Sequence, residues 1–381
     1  MKVAKLGIDP TAPDLHLGHA AVLKQARKLQ DNNYILYLIF GGYTATVGDP
    51  TGRNKERPKM TKEEVAANAT AYKEQAFKIL NPERTVVLDN ITWLETLPLS
   101  LLMKYTSNVT IAQMLERRDF KQRYNNKTPI NLTEFLYPIL QGIDSVFIAN
   151  HAKRSLFRGE QLEHMVELGG TDQLFNIQMG ASLMELEGHT PQEPHYVPLL
   201  IGTDGVEKMS KSKGNYIPLS GDPYEVYLKL MRLPDNLLEG YREAFDIGSM
   251  RHIDSMKERH EYLAANIMLF ICKFSPQEIY EAKRRYDSVS FGAIDSDKLT
   301  KLFVNDAQTL PHLLKNYNIL PSVSEGKRLI KQRGMKLNGE VIEEEEIILQ
   351  GEHTLEIGKS KAVIVVVNRE EGLKVCLTKN Y

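Results

Sequence analysis

Lys2-Val3-Ala4-Lys5-Leu6-Gly7-Ile8, then Asp9-Pro10-Thr11-Ala12-Pro13-Asp14, then Leu15-His16-Leu17-Gly18-His19: the chain opens as strand, tight turn and helix start. Lys2 to Ile8 reads as a buried strand. Apolar residues then recur at Val22, Ala26 and Leu29, a helical spacing over Gly18 to Gln30, and Tyr34 to Phe40 is a second apolar strand run. This is one βαβ unit, the building block of a parallel α/β sheet. At the start of its helix the backbone N–H groups are unpaired and the dipole favours anions, so phosphates belong there. His16 and His19 project from one face of the first turn, and Gly18 between them lets a bulky ligand approach the backbone. Two imidazoles so placed can bond phosphates as charge develops in a transition state; two polar histidines at a helix start are the plainer alternative.

Further along the chain, Thr61 and Glu64 form a capping box that opens a helix towards Leu80, and Thr85 to Leu88 is a short β-rich run. From about 97 to 148 the pattern is mainly helical and reads as an insertion between two halves of the sheet. Thr171 or Asp172 is expected to cap a helix from Gln173 to Leu186, and Val197 to Ile201 to return to the sheet. Pro223 to Leu314 reads as helical throughout, with breaks at Pro234, Pro276 and Pro311. The tail holds a short basic helix, Lys327 to Gln332, the hairpin signal Asn338-Gly339 and the β-branched run Ala362 to Val367. Three domains are expected: 1–219, α/β and Rossmann-like with the insertion; 220–318, α-helical; and 319–381, small and α+β.

The second phosphate signal is Lys208-Met209-Ser210-Lys211-Ser212, with Gly205 before it and Gly214 after it. A loop of this kind can close over a polyphosphate and supply two point charges, although alone such a segment is usually only a solvated surface and gains its value from the company of the first motif. Tyr137, Gln141 and Asp144, spaced i, i+4 and i+7, share one helix face and can line one pocket.

Composition limits the alternatives. A net charge of -1 and a pI near 6.8 argue against a chain coated in basic residues, so contact with nucleic acid must use a local patch. Lys327, Arg328, Lys331, Arg333 and Lys336 are such a patch. Cys272 and Cys376 show no metal-site or disulfide spacing, and no carboxylate cluster announces a dedicated metal site. No apolar run approaches the roughly 18 residues that span a bilayer, and no signal segment begins the chain, so a cytoplasmic setting without a membrane is expected.

Lys5 to His19, followed by Lys208 to Ser212, resembles the class I aminoacyl-tRNA synthetases and, within them, the bacterial tyrosyl-tRNA synthetases. Gly48-Asp49-Pro50-Thr51-Gly52-Arg53, Tyr137 to Gln141 with Asp144, and Gly169-Gly170-Thr171-Asp172-Gln173 carry the same resemblance. It covers essentially the whole chain, to a tail similar to an S4 RNA-binding module. It implies ATP-dependent activation of L-tyrosine and transfer of the tyrosyl group to tRNA(Tyr). ATP is then a substrate, accompanied by Mg2+, with no tightly bound cofactor, in a homodimer joined through the inserted helices.

The resemblance also implies roles for residues. Thr11, His16, His19, Arg53, Arg57, Lys208 and Lys211 would act at the reacting phosphates, and Gly18, Gly170, Asp172, Met209, Ser210 and Ser212 would bind ATP, Asp172 through the ribose. Asp49, Tyr137 and Gln141 would hold the substrate ammonium, with Gln173 near the carboxylate or α-phosphate. Asp144 would accept the phenolic hydrogen bond, and leaving that carboxylate unpaired would reject phenylalanine. The basic tail patch would grip tRNA phosphates.

Several positions depart from the pattern. The chain begins almost at the first strand, where relatives carry a further segment. Lys5 stands where some relatives have tyrosine and another bacterial branch has lysine. Gly42 and Ile143 replace acidic and aromatic residues, and Ala149 to Met165 is longer than usual. Three other functions stay open on the residues alone: a small-molecule nucleotidyltransferase, a catalytically silent RNA-binding paralogue, and a paralogue activating a related amino acid.

Overall fold

Strands β1 (Lys2–Ile8), β2 (Tyr34–Phe40), β3 (Thr85–Asp89), β4 (His164–Gly170) and β5 (Glu193–Val197) form one parallel sheet in the order β3-β2-β1-β4-β5. This is a doubly wound arrangement, and its order reverses between β1 and β4, where the carboxyl ends of the strands leave a crevice. The computed structural model describes residues 1–50, 61–154, 162–291, 301–304, 310–317, 319–337, 340–342, 346–349, 351–358, 361–367 and 373–376. The chain divides into two compact units, Met1–Ser275 and Pro276–Tyr381, a division that falls inside the stretch 220–318.

Central strands must be apolar because both faces are covered, and β1 and β2 comply with Val3, Ala4, Leu6 and the run Leu36 to Phe40, all buried. Lys5 is the exception. Its side chain is fully buried, and its ammonium lies 3.0 Å from Glu167 on β4, the residue paired with it in the sheet. Lys5 Nζ also donates to Ser145 Oγ at 2.6 Å and to the Gln141 carbonyl at 2.9 Å. Breaking such a pair leaves the Glu167 carboxylate buried without its cation, so Lys5→Met is expected to cost about 3–5 kcal/mol of stability. Denaturant unfolding of the two proteins checks this; an unchanged midpoint would remove the ion pair from the account.

The helix Leu17–Asp31 crosses from β1 to β2, and the capping box is present, with Glu64 N–H donating to Thr61 Oγ1 at 3.2 Å and Thr61 N–H to Glu64 Oε2 at 2.9 Å. That helix ends at Ala76, short of Leu80. Within the insertion, helices Leu99–Thr106, Ile111–Met114 and Arg118–Asn125 lead into a long helix, Leu132–Arg154, which continues past the boundary expected at 148. The first six residues of the long segment 149–165 are therefore helix.

Three further expectations are corrected. Neither Thr171 nor Asp172 caps a helix: 171–173 is a 3-10 turn, the helix runs Leu174–Leu186, and Asp172 is engaged elsewhere. The last strand is Glu193–Val197, ending where Val197 to Ile201 was expected to begin. It is an edge strand, which tolerates Pro194 and half-exposed residues and so lacks an apolar signature. Helix is also not continuous from Pro223 to Leu314, because Lys301–Val304 is a strand.

In the second unit, strands Lys301–Val304, Lys361–Val367, Gly351–Ile357, Met335–Leu337 and Glu340–Val341 form a sheet in that order. The last two pair antiparallel around Asn338-Gly339, which lies outside the described residues. Leu310, Leu313, Leu314, Met335, Leu355 and Val365 belong to the unit's buried core. Lys327, Arg328 and Lys331 lie on the helix Val323–Lys331, Arg333 just after it and Lys336 on the following strand, and all five are exposed. Arg328 is partly neutralised by Glu325, at 2.6 Å.

Candidate active site

At the carboxyl ends of β1, β4 and β5 lies a cavity of about 540 Å³, a size that accommodates an amino acid with a nucleotide. Every active-site residue expected from the sequence and described in the structure lines it: Thr11, His16, Gly18, His19, Asp49, Tyr137, Gln141, Asp144, Gly170, Asp172, Gln173, and Lys208 through Ser212. Arg53 and Arg57 lie outside the described residues.

One end is built on the start of helix Leu17–Asp31. His16 is its N-cap, and its Nδ1 accepts from Gly18 N–H at 3.1 Å, while His16 N–H donates to His19 Nδ1 at 3.2 Å. A backbone N–H can only donate, so both Nδ1 atoms are unprotonated and each neutral ring carries its proton on Nε2. Burial, then His19 and the lysines Lys211 and Lys208, lower the His16 pKa to about 2; burial and Lys211 lower His19 to about 4. Both rings are therefore neutral donors at ordinary pH. Gly18 has no room for more: a Cβ there would stand 2.9 Å from the His16 ring.

The lysine loop reaches this helix start through backbone pairing. Leu17 N–H donates to Ile217 O and Leu219 N–H to Leu15 O, both at 3.0 Å, so 217–219 zips against 15–17. Asn215, buried and not foreseen from sequence, accepts from Ser210 N–H at 2.8 Å and donates to Asp204 at 2.6 Å, holding the loop in shape. Lys208 Nζ lies 2.6 Å from Asp172 Oδ2. Lys211 bonds the Asp14 carbonyl and sits 5.8 Å from the centre of the Tyr72 ring.

The other end is polar and buried. Tyr137 donates to Asp9 Oδ2 at 2.8 Å, and Asp9 Oδ1 accepts from Thr44 at 2.8 Å. Burial, with Asp9 and Asp49, raises the Tyr137 pKa well above its usual value, so the hydroxyl keeps its proton and retains lone pairs to accept with. Gln141 Nε2 donates to Glu167 at 2.9 Å, and Gln173 Nε2 to Asp49 at 2.8 Å. Asp144, 4% exposed, accepts from Trp93 Nε1 at 2.9 Å and from Asn90 Nδ2 at 3.2 Å. Burial raises its pKa to about 7, while Lys5, Asn90 and Trp93 pull it down and Glu167 adds to the rise.

Asp144 is thus not left unpaired in an empty pocket, which softens the penalty expected from the sequence. Asp9, Thr44, Asn90, Trp93 and Glu167 were missed; only Asp9, at the end of the first strand, stands where the doubly wound rule would point. Lys5 does not line the cavity but sits beneath it, on Glu167. A side chain at Gly42 would overlap the Asp89 carboxylate, and Ile143 packs in the core.

A family model described as tRNA synthetases class I (W and Y) matches residues 2–268. The tyrosine–tRNA ligase of Photobacterium profundum is 38% identical over 377 residues, covering 94% of this chain and 89% of the relative. That of Thermotoga maritima is 40% identical over 370 residues, covering 94% and 88%. In fold, the chain is similar to a C-terminally truncated mitochondrial tyrosyl-tRNA synthetase of Aspergillus nidulans, with a TM-score of 0.60, 22% identity, and coverage of 75% of this chain and 85% of that one. Sequence match, sheet order and the joining of the histidine and lysine motifs around one cavity agree: the chain belongs to the class I tRNA synthetases of the tryptophan and tyrosine type.

Proposed function

We propose that the chain activates L-tyrosine with ATP and transfers the tyrosyl group to the 3′ end of tRNA(Tyr). The observation that carries this reading is one cavity with two neutral imidazole donors at one end and Tyr137, Gln141, Asp49 and Asp144 at the other. A tyrosine carboxylate oxygen attacks the α-phosphorus in line, the bond to the bridging oxygen breaks, and pyrophosphate leaves. The terminal ribose hydroxyl of tRNA then attacks the tyrosyl carbonyl, and AMP leaves.

The chain's residues position the reactants and stabilise charge. His16 and His19 donate through Nε2–H to the phosphates, and Lys208 and Lys211, with Arg53 and Arg57, offset the pyrophosphate charge. Thr11, Gly18, Met209, Ser210 and Ser212 line the same phosphate end. ATP enters with Mg2+, which neutralises part of that charge. Asp172 takes the ribose hydroxyls once Lys208 moves from it to the phosphates, beside Gly170, where a Cβ would crowd Asp172 and Leu199 at 2.6 Å. Gln173 lies by the substrate carboxylate. Asp49, Tyr137 Oη and Gln141 Oε1 accept from the ammonium, and Asp144 accepts from the phenol.

The chain acts as a homodimer in the cytoplasm. Leu99, Met103, Ile111, Tyr124 and Leu132 of the insertion, 58–78% exposed, support an interface there. The S4-like tail, with Lys327, Arg328, Lys331, Arg333 and Lys336, holds tRNA phosphates. Among the described residues no helix is long and apolar enough to cross a membrane. Incubation with ATP, labelled tyrosine and tRNA(Tyr) tests the whole reading: tyrosyl-tRNA is expected to accumulate, and no charging at saturating tyrosine would overturn it.

A further inference from the structure

Behind the polar end of the cavity, Arg117 is almost fully buried, at 5% exposure, at the start of the inserted helix Arg118–Asn125. Its Nη1 donates to Asn176 Oδ1 at 2.9 Å, its Nη2 to Asp49 Oδ1 at 3.2 Å and its Nε to Asp119 at 2.8 Å. Asn176, 1% exposed, donates from Nδ2 to Gln141 Oε1 at 2.9 Å and to Gln173 Oε1 at 3.0 Å. The two glutamines pass their own Nε2–H groups to Glu167 and Asp49.

We infer that Arg117 is a positioning residue that locks the hydrogen-bond polarity of the ammonium pocket from the end opposite Glu167 and Asp49. A guanidinium only donates, and an ionised carboxylate only accepts. Between Arg117 at one end and Glu167 and Asp49 at the other stand three side-chain amides, each of which can face either way. Arg117 demands an oxygen, so Asn176 must turn Oδ1 to it and Nδ2 inward. Gln141 and Gln173 must then turn their oxygens to Asn176 and their Nε2 groups to the carboxylates. Reversing any one amide sets donor against donor or acceptor against acceptor. Gln141, which lines the cavity, is thereby fixed with its oxygen accepting from Asn176, and the second lone pair of that oxygen remains for an amino acid's ammonium, while Gln173 is held in place beside it. Asp49 and Asp119 balance the guanidinium's own charge, so it orients the pocket without leaving an unpaired cation beside the ammonium.

This inference rests on the tyrosine reading above, and its test keeps the two apart. The dissociation constants of L-tyrosine and of 3-(4-hydroxyphenyl)propanoate, which lacks only the amine, are measured on the full-length wild type and on Arg117→Met. Tyrosine should weaken roughly ten- to a hundredfold while the deaminated analogue changes little, the size expected for losing a well-oriented bond to a charged group. The ratio of the two constants does not depend on the folded fraction. Asn176→Leu breaks the same relay one step further in, should give the same selective loss, and decides the matter if Arg117→Met does not fold. Equal weakening of both ligands would make Arg117 merely structural, and tighter tyrosine binding would show that its charge opposes the ammonium; either result overturns the inference alone. Wild-type protein that binds neither ligand overturns the tyrosine reading and this inference with it.

Discussion

Changing His19 to alanine should slow tyrosine-dependent adenylate formation roughly 100- to 1,000-fold with little change in the KM for tyrosine, the usual cost of deleting one preorganised donor at a site of developing charge. His19 offers a neutral Nε2–H because its Nδ1 is taken by the His16 backbone N–H. It lies against His16, with ring centres 3.9 Å apart, so the two donors act as a pair and their deletions should be far from additive. His16→Ala is a less clean variant, since His16 is also the N-cap and its loss costs about 1 kcal/mol of helix stability. With pKa values lowered to about 4 and about 2, neither ring gains a proton between pH 5 and 9. The rate should show no inflection from them in that range. An inflection near pH 6.5 that disappears in His19→Ala would mean that these imidazoles titrate normally and act as acids or bases instead.

The second large effect concerns selectivity. Asp144→Ala should narrow the preference for tyrosine over phenylalanine, measured as the ratio of kcat/KM values, by about 10- to 100-fold, which corresponds to about 1.5–3 kcal/mol for a hydrogen bond to a charged group. The direction with pH follows from the carboxyl's pKa of about 7. Above that value Asp144 is ionised and accepts the phenol's hydrogen bond as a charged group; below it the acid is neutral and the bond weakens. The preference should therefore rise between pH 6 and 8 in the wild type and stay flat in Asp144→Asn. Trp93, the only tryptophan in the chain, donates to Asp144, so its fluorescence should follow the same titration. Unchanged discrimination in Asp144→Ala would remove Asp144 from recognition.

Much of this site was legible because motif and local structure coincide. The opening strand, turn and helix were readable from periodicity, and the helix start that binds phosphate is also the N-cap geometry of His16. The spacing of Tyr137, Gln141 and Asp144 placed three pocket residues on one face of one helix. What stayed hidden depends on contacts distant in sequence. Nothing local marks Arg117 or Asn176, which meet across 59 residues, or Lys5 and Glu167, which meet only because β1 and β4 are neighbours in the sheet. Strand β4 itself, His164–Gly170, carried a charge and two glycines and escaped an apolar pattern, and β5 was masked by its exposed edge. The joining of His16 to the lysine loop was suggested by resemblance alone, and its cause is the backbone pairing of 217–219 with 15–17.

The most direct test of the central claim is exchange of labelled pyrophosphate into ATP by the full-length protein, run with each of the twenty amino acids in turn. Exchange that requires tyrosine and is weak or absent with the other nineteen, phenylalanine included, is the predicted result. No exchange with tyrosine, or faster exchange with a different amino acid, would contradict the account.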